Sequence, residues 1–323
     1  MNGALNTSAG FRRARQELED TYRPHVDKLT SAGEATVELI ADSDHVAVGG
    51  TCYSRTPTAL LFAMLRSHRR DLTLSRPLSC YEVELALASG ACSRVVTSWV
   101  GIGLRWGLPL VLRHYVEHGL ATYEEWSHLA LGLRYKAGAM GVPFLPGLSM
   151  LGSDLARADD LRTVTCPYTG SELAAFPALN PDVALVHVHR ADRHGNAQVD
   201  GYWHMDVDMA RAARRVIVSA ERIVTTEEIM RRPTTTMLPH FAVDAVVEAP
   251  FGSYPSEMYG SYEADFAHFD TYSELVRHDG PEGARRYVEE NAEQPRDFAA
   301  FLDTVGPDHL AGLRLGAEKL MPR

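Results

Sequence analysis

The feature that most constrains this chain is an alternation. From Ala35 onward, short Val-rich apolar runs alternate with longer amphipathic stretches. The runs His45–Gly49, Asp71–Ser75, Arg94–Val100, Asp182–His189, Arg215–Ser219, Ile223–Thr225 and Asp244–Ala249 read as strands. Most are apolar on both faces, as strands buried inside a parallel sheet must be. Between them, Pro57–Arg69, Glu82–Ala88, Pro109–His118, Glu124–Gly138, Val207–Arg214 and Glu227–Arg231 read as helices. Pro57–Arg69 carries Leu61, Met64 and Leu65 at helical spacing, and Pro57 suits a helix start. Strands interleaved with helices predict an α/β fold, an open and mostly parallel sheet with helices on both faces. Beyond Asp265, the segments Ala284–Asn291, Pro295–Val305 and Asp308–Lys319 predict a helical tail peripheral to the sheet. The residues before Leu29 are charged and read as helical. The expected division is a helical extension over 1–34, an α/β domain over 35–265 and a helical segment over 266–323 packed on it.

Composition narrows the function classes. With 45% hydrophobic and 23% charged residues in 323, the chain can bury a sizeable core. A net charge of −10 and a pI near 5.8 argue against nucleic acid or an anionic membrane as main partner. They do not argue against a small anionic ligand, which arginines and backbone amides can hold. Cys52, Cys80, Cys92 and Cys166 form no CxxC pair and read as free thiols in a reducing cytoplasm. The start of the chain has no apolar signal region, and no stretch approaches the ~18 apolar residues of a spanning helix.

In such a sheet ligands bind beyond the carboxyl ends of the strands. The loops to inspect are Gly49–Pro57, Ser75–Glu82, Ser98–Leu108, Arg190–Tyr202 and Pro250–Ser261. In the segment Asp44–Pro57 a strand ends in Gly49-Gly50 and turns into a helix whose start favours an anion. It is neither GxGxxG nor a P-loop. Arg55 is placed to fix a carboxylate or phosphate, or it is a surface arginine after a plain turn. The segment Asp192–Asn196 is a tight turn whose Gly195 and Asn196 serve a ligand or the turn alone. His187 and His189 share one strand face, as a metal pair or as hydrogen-bonded core histidines, with His194 and His204 nearby in sequence. Glu124 and Glu125 read as the acidic start of a helix, with His128 one turn on. Glu248–Tyr259 is a loop dense in Gly, Pro, Ser and Tyr, either functional or merely packed. No GxSxG occurs, and no His or Asn is tied by sequence to Cys52 or Cys80 as catalytic thiols.

Four segments together carry a resemblance. Asp44–Pro57, Gly141-Val-Pro-Phe-Leu-Pro146 with Gly152-Ser153, the turn Asp192–Asn196 and Val243–Ser256 occur in this order. Over about Asp44 to Asp265 the chain resembles the A (alpha) subunit of family I coenzyme A-transferases, most closely the glutaconate CoA-transferase type. The resemblance implies a partner B (beta) subunit in a heterodimer or dimer of heterodimers. It implies transfer of CoA from an acyl-CoA to a carboxylic acid, with the nucleophilic glutamate on the B subunit. No metal and no permanently bound cofactor are implied; the CoA thioester is substrate. Gly49 and Gly50 would line the pocket, Arg55 would orient an acid group, and Ser256 matches the Pro-Ser of the last loop. Ser75, Gly195 and Asn196 complete the implied substrate-binding set.

One departure stands out. The glutaconate enzymes have a glycine-rich loop after the second strand, where this chain reads Ser75-Arg-Pro-Leu-Ser-Cys-Tyr81. That puts glutaconate itself in doubt as substrate. A related branch opens a steroid ring by hydrolysis of a CoA thioester, with a catalytic glutamate on its alpha chain where His128 falls here. His128 would then serve as general base. A third relative decarboxylates a branched glutaconyl-CoA. A non-catalytic ligand sensor is the remaining alternative, because fold alone does not fix function.

Overall fold

The computed structural model describes residues 23–101, 107–158 and 161–320, with 12, 13, 15–17 and 20 before them. Part of the expected N-terminal extension, and residues 102–106 of the candidate loop Ser98–Leu108, lie outside the described residues. The first elements are α1 (Ala32–Leu39), β1 (His45–Val48), α2 (Thr58–Arg66), β2 (Leu72–Ser79), α3 (Tyr81–Ala88), β3 (Cys92–Val100), α4 (Leu110–Glu117), β4 (Thr122–Glu125) and α5 (His128–Met140). A middle stretch follows with β5 (Phe144–Gly147), α6 (Asp154–Ala158), β6 (Thr163–Thr165), β7 (Glu172–Pro177), β8 (Val183–Val188), β9 (Arg190–Asp192) and β10 (Ala197–Gln198). Then come α7 (Asp206–Ala212), β11 (Arg215–Ala220), β12 (Ile223–Val224), α8 (Thr226–Arg231), β13 (Thr236–Leu238) and β14 (Ala245–Glu248). The chain ends in α9 (Phe266–Val288), α10 (Phe298–Val305) and α11 (Pro307–Leu320).

Seven strands form the main sheet in the order β14-β11-β8-β1-β2-β3-β4, and every pairing in it is parallel. Side chains alternate between two apolar cores, one on each face. Val46, Val48, Val183, Leu185, Ile217, Ala245 and Val247 enter the first core. Ala47, Ala184, Val186, Val216, Val218 and Val246 enter the second. This is the two-sided burial that the Val-rich runs predict, since successive strand residues face opposite ways.

The C-terminal helices add no strand and close the outer layer over the first core. Phe269, Tyr272 and Tyr287 of α9 surround Tyr81 edge-on at 5.3–6.3 Å, and Phe298 and Phe301 do the same to Phe62. Helix α9 breaks at Gly280 (φ 60°), just before Pro281. Two small sheets lie largely outside the sequence expectation: β12-β9-β10-β13, of which only β12 falls on an expected strand, and the antiparallel β5-β7-β6. Their strands have two to six residues, too few for a period-2 pattern to stand out. Among the described residues no helix is long and apolar enough to cross a membrane.

The expected helix start at Glu124 is a correction. Glu124 and Glu125 end the edge strand β4, and α5 begins only at His128, capped by Ser127 Oγ, which accepts from Ala130 N–H at 3.1 Å. Glu124 is buried, not a surface acid. Its Oε1 accepts from Arg134 Nη1 and Trp126 Nε1, both at 2.7 Å, and Oε2 pairs with Arg94. Arg134 also lies over the Trp126 ring at 4.2 Å. The network ties β3, β4 and α5 together. Burial alone would raise the Glu124 pKa, but Arg134, the Trp126 N–H and Arg94 outweigh it and hold it at about 2. A depressed carboxylate stabilises the fold above its unfolded pKa, near about 4.3, and loses that contribution as pH falls through its folded value. Glu124→Gln should therefore lower the urea midpoint at pH 7. The gap from the parent chain should shrink as pH falls from about 4 toward about 2; equal midpoints at pH 7 would remove the network as a stabilising element.

Candidate functional site at the strand ends

Strand β1 lies between β8 and β2, so the chain order reverses between β8 and β1. In open sheets of this kind the loops leaving two such strands diverge, and ligands bind in the crevice that results. Gly49 continues the β1–β8 pairing, its N–H donating to Leu185 O at 2.8 Å. A Cβ at Gly49 would stand 2.9 Å from that same carbonyl. Gly50 is left-handed (φ 71°), and a Cβ there would collide with Ser54 O. Both glycines are thus demanded by close backbone approach. The turn closes through reciprocal bonds between Thr51 and Ser54 at 2.8 and 2.9 Å. Cys52 (φ 48°) and Arg55 (φ 52°) are also left-handed, a concentration of strain common at ligand sites.

Beneath the turn sits a charge pair. Arg55 is 1% exposed. Its Nη1 pairs with Asp206 Oδ2 at 2.8 Å and donates to His187 O at 3.1 Å, and Nη2 donates to Tyr202 O at 3.0 Å. Asp206 Oδ1 accepts from Gly50 N–H at 2.8 Å. Arg55 is therefore committed inward, tying the β1 turn to β8 and to the loop before α7. The Gly49 and Gly50 amides are likewise engaged, so the turn supplies shape rather than free oxyanion donors.

The last loop is stitched to the same turn. Arg55 N–H donates to Glu257 O and Glu257 N–H to Tyr53 O, both at 2.9 Å. Ser256, fully buried, donates from Oγ to Thr56 Oγ1 at 2.8 Å. Thr56 Oγ1 accepts from Arg76 Nη2 at 3.0 Å, Arg76 pairs with Glu82 at 2.9 Å, and Glu82 accepts from Cys80 N–H at 2.8 Å. Gly49, Gly50, Arg55 and Ser256 are thus brought together.

Ser75, Gly195 and Asn196 are not. Strand β2 runs on to Ser79, so Ser75 lies inside it and not in a loop. Ser75 Oγ accepts from the Tyr135 hydroxyl at 2.7 Å and lies 2.5 Å from His45 Nε2. Desolvation drives the His45 pKa down to about 3, so this is a neutral core cluster. The Asp192–Asn196 turn joins β9 to β10. Asp192 Oδ1 accepts from His194 N–H and Asn196 N–H at 3.0 and 2.9 Å, and Asn196 Oδ1 accepts from His240 N–H at 3.0 Å. A Cβ at Gly195 would meet Val243, which precedes β14. The turn therefore sits at the amino end of β14, opposite the carboxyl end of β1.

The histidines are placed as follows. His187 is buried between Ser219 Oγ (2.9 Å) and Glu221 Oε1 (2.8 Å). His189 lies 2.7 Å from Tyr259 O and accepts from Asp200 N–H. Among the described residues no His, Cys, Asp and Glu side chains gather as a metal site. His128 is exposed at the start of α5. Its i+4 neighbour Gly132 is where Met205 packs, immediately before Asp206. Sequence reasoning missed Asp206, Arg76, Glu82 and Glu221. Asp206 and Glu82 left a signal, one an acid just before an expected helix and the other the first residue of one.

A family model described as Coenzyme A transferase matches residues 29–249. This chain belongs to the coenzyme A transferase family. Among known proteins similar to this CoA-transferase chain, an uncharacterized protein of Archaeoglobus fulgidus is 39% identical over 290 residues, 89% of this chain, and this chain spans 64% of its length. The A-type chain of the 3-oxoadipate CoA-transferase of Pseudomonas knackmussii is 32% identical over 279 residues, 85% of this chain and 96% of that one. The crystal structure of glutaconate CoA-transferase from Acidaminococcus fermentans matches with a TM-score of 0.85 at 28% identity, covering 89% of this chain and 95% of that chain. The resemblance carried by the four sequence segments holds, for family and for fold.

If the Arg55–Asp206 pair organises this site, removing one partner strands the other charge in the core. Asp206→Asn should cost about 3–5 kcal/mol in urea unfolding. A loss under about 1 kcal/mol would place Arg55 in water.

Proposed function

We propose that this chain is the A (alpha) subunit of a heteromeric CoA-transferase that moves CoA between an acyl-CoA and a carboxylic acid, the nucleophilic glutamate coming from a B (beta) subunit. The observation that carries this reading is the state of the buried carboxylates at the strand ends. Asp206 is held by Arg55 and Gly50, Glu82 by Arg76 and the Cys80 N–H, and Glu221 by His187, Tyr262 and the Phe251 N–H. A nucleophilic carboxylate must present a free oxygen to the thioester carbonyl. Glu82 keeps Oε2 without a partner, but that oxygen is fully buried and faces no thioester, so these carboxylates build a pocket wall and leave the attack to another group.

The reaction needs an acid to attack the thioester and give a mixed anhydride, which the CoA thiolate reopens to an enzyme-bound thioester; the acceptor acid then repeats the sequence. In this reading Gly49, Gly50 and Ser256 shape the acyl pocket from this chain's side, and Arg55 acts as the positioning residue beneath them. A partner also has a surface to cover. Tyr202 (78% exposed), Leu148 (69%) and Leu129 (59%) are large apolar side chains near the α5 start and the loop before α7. The proposed assembly is a heterodimer or a dimer of heterodimers in the cytoplasm. The CoA thioester serves as substrate, with no cofactor permanently held.

The test mixes the purified chain with its beta partner, an acyl-CoA and an acceptor acid. The chain alone should not turn over; the pair should. Borohydride added with acyl-CoA should inactivate the pair and label a glutamate on the beta partner. Full turnover by the isolated chain would overturn the proposal.

A second reading, a CoA-thioester hydrolase or lyase, is favoured by one observation: His128 stands exposed on the α5 face that Met205 and the Asp206 loop approach. His128→Ala in the assembled enzyme separates the two. Loss of a general base should cost about 10²–10⁴-fold in kcat, whereas the transferase reading expects near-parent turnover.

A further inference from the structure

Two thiols stand at the carboxyl ends of the adjacent strands β1 and β2, and the transfer chemistry above uses neither. Cys52 occupies the Thr51–Ser54 turn, and its N–H donates to Leu78 O at 2.8 Å, which pins the turn over the end of β2. Its Sγ is partly exposed and lies 3.8 Å from Gly101 O, beyond β3. Cys80, 1% exposed, directly follows β2. The backbone bond to Leu78 ends two residues before Cys80 and so brings the two thiols side by side, with the buried Arg76 guanidinium acting on both sulfurs.

These contacts set the two thiols apart. The Cys80 hydrogen bond, against desolvation and the Glu82 charge and with help from Arg76 and Tyr53 N–H, brings the Cys52 pKa down to about 7. Burial drives the Cys80 thiol up. Cys92 gives the contrast inside the same molecule: there burial outweighs the backbone hydrogen bonds at Arg94 and Leu74 and pushes the thiol to about 12. An accessible thiolate in contact with a shielded thiol is the arrangement of an oxidant-reactive cysteine beside its resolving partner.

We propose that Cys52 is an oxidative modification site for hydroperoxides, with Cys80 as the thiol that resolves it to a disulfide. The Cys52 thiolate attacks the peroxide. An S–O bond forms, the O–O bond breaks, and the sulfur loses two electrons as the peroxide is reduced to an alcohol or water. The Cys80 sulfur then attacks the Cys52 sulfenic acid. The S–S bond forms, the S–O bond breaks, and the hydroxyl leaves as water with the Cys80 proton. The product bolts the Gly49–Gly50 turn to the end of β2 and removes a thiol from the pocket wall. This inference rests on thiol chemistry and stands independently of the acyl group or the reaction assigned to the site.

The test treats the reduced full-length chain with hydrogen peroxide, blocks residual thiols and maps peptides by mass spectrometry. The expected product is a Cys52–Cys80 linked peptide that dithiothreitol reverses, forming faster as pH rises through about 7. Cys80→Ser should stop the reaction at a Cys52 sulfenic acid that dimedone traps. Should that variant fail to fold, a dimedone pulse during oxidation of the parent chain captures the same species. Absence of the linked peptide in the parent chain would overturn the proposal. So would dimedone labelling of Cys52 no faster than that of Cys92, the buried thiol that opens β3.

Discussion

The ion pair between Arg55 and Asp206 is what the strand-end architecture depends on. A guanidinium and a carboxylate removed from water must satisfy one another and nearly all their remaining donors and lone pairs, or the core cannot hold them. Here the remaining groups reach Gly50 N–H, His187 O and Tyr202 O. Three segments far apart in sequence are fixed by one pair of side chains, and the double glycine is fixed with them. The left-handed turn above the pair costs backbone energy, and the charges beneath it hold that turn in place. Hydrophobic burial builds the sheet; this polar knot decides how the chain leaves it.

A second set of buried charges does the same at the other edge. Glu124 binds Arg94, Arg134 and Trp126, and so locks the edge strand β4 to α5. An edge strand is short of backbone partners, and a charged network of this kind specifies its position where apolar packing alone would permit sliding. Both networks face the question of register and direction rather than of bulk stability.

How much of this is legible in the sequence follows from which signals are local. Six of the seven parallel strands are readable because Val-rich runs such as Val183–Val188 are apolar on both faces, whereas the edge strand β4 has no such run and reads as a helix start. The short strands β5–β7, β9, β10 and β13 are not, since a handful of residues carries no period. Gly49 and Gly50 are readable as a turn because glycine has few other reasons to be doubled at a strand end. Arg55 is readable as important but not in direction, since sequence does not say whether an arginine faces water or a buried acid. Asp206, Glu82 and Glu124 look like surface acids in any one-dimensional reading; their burial is a property of the assembled sheet. Ser75 is misassigned to a loop because Pro77 suggests that β2 has ended, whereas the strand carries that proline through to Ser79.

The chain of contacts from Ser256 through Thr56, Arg76 and Glu82 to the Cys80 N–H has an evolutionary corollary. Each of the four side chains is spent on holding the next, so an exchange at any one of them disturbs its neighbours as well. Such a wall resists drift. Exchange is tolerated more readily at exposed side chains such as Tyr202 and Leu148, which take no part in that chain of contacts.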